Sequence, residues 1–164
     1  MTLTLPHLEH LISIREAAQM LGLSERRLRE LVQEGSIRAA ILPGGEIGVS
    51  KDLATITVLN EKLKSIRPTD YKNLRGVPIT TSDAVGKYKV VKQTLLRWTR
   101  QGFVKVLKPG YRLELDEADV AYCAMIFHLR QNAGVFAGAP LLDENGAPYL
   151  LKHPVLSASR RRQR

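Results

Sequence analysis

The sequence predicts a mainly α-helical fold with small β wings, laid out twice along the chain. Three observations carry that expectation. A pattern of apolar positions and a closing glycine recurs without a gap from Ile14–Ile37 to Thr81–Val104, with Gly35 matching Gly102 at an offset of 67 residues. Within each copy two short amphipathic segments are separated by a tight turn. After each pair comes a short apolar run, a turn rich in proline and glycine, and a return run, the pattern of a small hairpin.

In the first copy, Arg15 to Leu21 has the pattern of a short helix, and Gly22 is suited to end it because glycine takes the left-handed cap conformation cheaply. Ser24 is a capping residue for a second helix reaching about Glu34, with Leu23 and Leu28 placed as a hydrophobic staple. At 100° per residue Leu28, Leu31 and Val32 share one face, and Arg26, Arg29, Glu30 and Gln33 take the other. Ile37 to Leu42, Pro43-Gly44-Gly45 and Glu46 to Val49 make the expected hairpin, or wing. Ser50 then caps a helix over about 51–65, with Leu53, Ile56, Leu59 and Leu63 at helical spacing.

The second copy repeats the plan with weaker local signals. Lys89 stands where the first copy has Gly22, and Val91 where it has the Ser24 cap. Leu95, Trp98 and Thr99 are expected inward; Gln93, Arg97 and Arg100 outward, with Leu96 to the side. Val104 to Leu107, Lys108-Pro109-Gly110 and Tyr111 to Leu115 form the wing, and Asp116 caps a helix of about Glu117 to Gln131. Domain organisation follows: a first unit over 1–66, a linker or ordered connector over 67–78 with two prolines and a glycine, a second unit over 79–132, then a hairpin and basic tail over 133–164. The hairpin is expected at Pro140 to Leu151, around a four-residue turn ending in Gly146.

The 164 residues carry a net charge of +9, which favours an anionic partner. That charge is unevenly placed. Residues 1–66 hold eight Lys+Arg against eight Asp+Glu, residues 67–132 hold twelve against six, and residues 133–164 five against two. The positive field therefore belongs to the second half and the tail. No apolar stretch is long enough for a membrane span, the first residues lack the pattern of a signal peptide, and a lone Cys123 sits in a helix-core context, so the expected home is the cytoplasm.

The run from Ile12 to Ile37, with Glu16-Ala17-Ala18, Leu21-Gly22-Leu23-Ser24, a basic helix and Gly35, resembles the DNA-binding domain of MerR-type regulators and of phage or plasmid excisionases. The match covers roughly residues 12–55, and residues 79–121 match in outline. The resemblance implies tandem winged helix-turn-helix domains, the second helix of each lying in the major groove of double-stranded DNA. It assigns DNA contact to Arg26, Arg27 and Arg29 in one unit and to Lys92, Gln93, Arg97 and Arg100 in the other. The long dimerising coiled coil, the effector-binding domain and the metal-binding cysteines of MerR regulators have no counterpart here.

Wing residues Lys108, Tyr111 and Arg112 are candidates for phosphate contact, as is the Arg160–Arg164 cluster with Arg161 and Arg162. Glu25, Glu30 and Glu34 dilute the first unit, which leaves open a recombinase, a polymerase or another protein as its partner. The expected function is sequence-directed DNA binding, in excision or in transcription regulation of a mobile element, with recognition of DNA for packaging as the alternative. No cofactor, metal or enzymatic activity is expected: there is no phosphate-gripping glycine loop, no nucleophile elbow, and no third ligand beside His7 and His10.

Overall fold

The computed structural model describes residues 11–134 and 139–151. They fall into two compact units, one holding the described residues through Glu61 together with Leu151, the other Lys62–Leu150. Each unit combines helices with a small three-stranded antiparallel sheet. No helix among the described residues is long and apolar enough to cross a membrane.

The first unit begins with strand β1 (Leu11–Ser13) and helix α1 (Ile14–Leu21). Ser13 caps α1, its hydroxyl accepting from the Glu16 N–H at 3.1 Å, one of the amides a helix leaves without an internal partner. Gly22 ends α1 at φ 66° and donates to the carbonyls of Ala18 and Gln19. Ser24 then caps α2 (Glu25–Gln33), accepting from the Arg27 N–H at 3.1 Å. The hairpin of β2 (Ala39–Ile41) and β3 (Ile47–Ser50) leads into α3 (Lys51–Ser65). β3 is the central strand, with Ile12 opposite Val49 on one side and Ile41 opposite Ile47 on the other. Leu28 and Leu31 are fully buried among Ile14, Ala17, Ile37 and Val49. Each contributes about 2 kcal/mol of apolar burial, which fixes the roll of α2 and leaves its charged side outward. The strand expected from Ile37 is shorter: Ile37 is spent on the core, and β2 proper is exposed at all three residues.

The second unit repeats β1, α1, α2 and β2 at the 67-residue offset with unchanged lengths, as β4 (Pro78–Thr80), α4 (Thr81–Tyr88), α5 (Lys92–Arg100) and β5 (Val106–Lys108). Strand β6 (Glu114–Asp116) is again central, and α6 (Glu117–Asn132) follows it. The Asp116 carboxylate accepts from the Ala118 N–H at 3.1 Å. The expected return strand began at Tyr111; the strand begins at Glu114, so Tyr111 and Arg112 belong to the loop. Thr94, not Thr99, is the buried threonine of α5.

Two segments outside the repeat complete this unit. The stretch read from sequence as a linker or ordered connector is ordered: it holds a 3-10 helix, Pro68–Leu74, against α6. The Arg75 guanidinium reaches Asp119 at 2.6 Å and Asp116 at 3.3 Å, and the rings of Tyr71 and Tyr122 meet edge to face at 6.2 Å. The segment 139–150 turns at Asp143–Gly146, as expected, but pairs only through a single bridge of Leu142 with Pro148. Arg130 of α6 holds it, donating to the carbonyls of Pro140 and Tyr149 at 2.9 Å and of Ala139 at 3.4 Å, while Tyr122 donates to Gly146 O at 2.9 Å. Arg130 is buried with only carbonyl partners, and desolvation lowers its pKa.

Lys89 is the one non-glycine described residue with positive φ, 54°, at the position Gly22 takes in the first unit. A side chain in the left-handed region costs about 1 kcal/mol. Lys89→Gly is therefore expected to stabilise the second unit by about 0.5–1 kcal/mol. The check is a urea titration whose midpoint rises with unchanged slope.

Candidate nucleic-acid interface

The roll of α5 is set by what it buries. Leu95 and Trp98 point inward, and Trp98 stacks edge to face on Phe127 of α6 with ring centroids 5.7 Å apart. With that face fixed, Gln93, Arg97 and Arg100 fall at i, i+4 and i+7 on one exposed stripe, beside Lys92. Leu96, half-buried, borders it. The helix contains no acidic residue, and among the described residues no carboxylate pairs with Lys92, Arg97 or Arg100. The preceding turn is held through α4, where the Lys87 ammonium and the Tyr88 hydroxyl both reach the Glu117 carboxylate. The bond from Lys87 keeps that carboxyl below its ordinary range.

The matching face of α2 is closed by its own acids. Arg26 reaches Glu30 at 3.2 Å. Arg27 meets Glu30 at 3.3 Å, Glu34 at 3.6 Å and Glu61 of α3 at 3.1 Å. Arg29 lies 3.9 Å from Glu25. The bond to Glu30, with the nearby charges of Glu61 and Glu34, raises the pKa of Arg27. The difference between the two helices is systematic: Glu25 is replaced by Lys92, Glu30 by Arg97 and Gln33 by Arg100 at equivalent positions.

The two hairpins diverge in the same sense. In the second unit Lys108 ends β5, and Tyr111 and Arg112 in the following loop are exposed, Tyr111 completely. In the first unit the paired residues Ile41 and Ile47 are 80% and 38% exposed, an apolar tip with no attraction for phosphate. Lys89, exposed in the turn before α5, adds a cation that a reading of periodicity overlooks. Its signal was the charged residue in a slot that otherwise takes glycine. Arg160, Arg161 and Arg162, with His7 and His10, lie outside the described residues.

Cys123 is fully buried, and desolvation drives its thiol pKa well up. Among the described residues no three His, Cys, Asp or Glu side chains are grouped to hold a metal. In comparisons with known proteins, no family model, no curated protein and no solved structure matches the chain.

Proposed function

We propose that the chain is a tandem winged helix-turn-helix protein that binds double-stranded DNA in a sequence-directed way, chiefly through its second unit. The observation that carries this reading is the acid-free stripe of Gln93, Arg97 and Arg100 with Lys92 on α5, flanked by a wing bearing Lys108, Tyr111 and Arg112. A basic helix face backed by an apolar one matches the groove-reading helix of such units, and cations on the wing match phosphates. Roles in excision or regulation of a mobile element, or in marking DNA for packaging, are all served by this activity.

The ion-paired face of α2 and the apolar tip of its wing favour a second reading for the first unit, the binding of a protein such as a recombinase or polymerase. A salt titration of binding to random duplex DNA tests the DNA reading. If the five cations at Lys92, Arg97, Arg100, Lys108 and Arg112 each meet a phosphate, the slope of log affinity against log salt is about −4 to −5. A flat dependence would leave both units as protein-interaction modules.

A further inference from the structure

The second unit contains a cleft of about 510 Å³ that the repeated plan does not account for. Its walls come from the two segments outside the repeat: Ile66 and Pro68 from one, Ala147, Pro148 and Tyr149 from the other, with Tyr122 of α6. Lys64 and Arg67 stand at it, both exposed and without an ion-pair partner among the described residues. One acid lines the cleft, Asp143, whose Oδ1 is turned to the amides of Asn145 at 2.8 Å and Ala147 at 3.0 Å; the two cations outnumber it.

We propose that this cleft docks a short peptide segment of a partner protein, with a bulky apolar residue flanked by Asp or Glu. The apolar walls with tyrosine edges suit the apolar side chain, and the two unpaired cations select the acidic flanks. The chain's own end is a poor occupant, since residues 152–164 carry five basic and no acidic side chains. The segment 139–150 is held by the buried Arg130, and the cleft itself opens beside Tyr122. Tyr122 and Phe127 are five positions apart, roughly 140° around α6 at 100° per residue, and Phe127 is the side that meets Trp98. DNA on α5 and a peptide in the cleft are therefore compatible.

The test uses the full chain and a fluorescein-labelled nine-residue peptide of aspartates and glutamates with a central Leu-Trp pair. Saturable binding in the range of about 10–100 μM is expected, weakened about tenfold by Lys64→Glu with Arg67→Glu, which reverses two exposed charges. Arg97→Ala with Arg100→Ala is expected to leave peptide binding unchanged, so that failure of the DNA reading does not touch this one. Amide shifts on titrating the unaltered protein should centre on Tyr122, Ala147 and Leu150. No saturation below about 1 mM, equal binding of a lysine-flanked peptide, or shifts centred elsewhere would overturn the proposal. Displacement of the peptide by duplex DNA, with matched loss of DNA affinity in the Lys64/Arg67 variant, would also overturn it and give the cleft to nucleic acid.

Discussion

Trp98→Asp is expected to unfold the second unit while the first stays folded. Trp98 is 2% exposed and is the largest of the fully buried side chains. Truncating such an aromatic costs about 3–5 kcal/mol, and an unpaired carboxylate in its place adds several more. Together these are comparable to the entire stability of a small domain, about 5–15 kcal/mol. The expected result is loss of the second unit's helical signal in circular dichroism and of its dispersed amide resonances, with those of 11–61 retained. Leu31→Asp should produce the converse, since Leu31 holds the equivalent place in α2. A cooperatively melting Trp98→Asp protein with unaltered DNA affinity would place Trp98 outside the core and remove the argument for the roll of α5.

The second large effect is on DNA binding. Arg97→Ala with Arg100→Ala is expected to weaken it about 100-fold, because each arginine can supply a bidentate base contact or a phosphate contact worth about 1–3 kcal/mol. Both residues are exposed and unpaired among the described residues, so the fold should be unchanged by circular dichroism. Arg26→Ala with Arg29→Ala should cost about threefold or less at physiological salt, where the added negative field is screened within about 8 Å. Those two arginines already satisfy Glu30 and Glu25. Anisotropy titrations of the two double variants against one duplex compare them directly. An equal or larger loss from the α2 pair would move the reading face to the first unit.

Much of the repeated plan was legible because its signals are local. Gly22, Ser24 and Ser50 each act on neighbours within a few residues, and the periodicity of Leu28 and Leu31, or Leu95 and Trp98, depends only on the helix pitch. The parts that were hidden depend on partners far along the chain. The stretch 67–78 shows prolines, a glycine and charge, yet Arg75 is fixed by Asp116 and Asp119 and Tyr71 by Tyr122. Arg130 passes for an ordinary helix-end cation until the carbonyls of 139–149 close around it. For the candidate interface, the residue types were readable but not their pairing. The charge count already set Arg97 and Arg100 above Arg26 and Arg29, and Glu25, Glu30 and Glu34 were visible as diluting acids, but only geometry shows Arg27 tied across to Glu61 on another helix.

The gap-free correspondence of elements between the two units locates where they differ. Strand, helix and turn lengths agree from β1 through β2 and from β4 through β5, so the two scaffolds superpose element for element in sequence. Gly22 at φ 66° and Lys89 at φ 54° show that the turn before the second helix has the same left-handed shape whether glycine or lysine occupies it. The electrostatic character of each outer face is thus a property of interchangeable side chains on a common frame. Opposite charge, Glu25 and Glu30 in one unit against Lys92 and Arg97 in the other, is carried on one backbone path, with no change that the rest of either unit would have to accommodate.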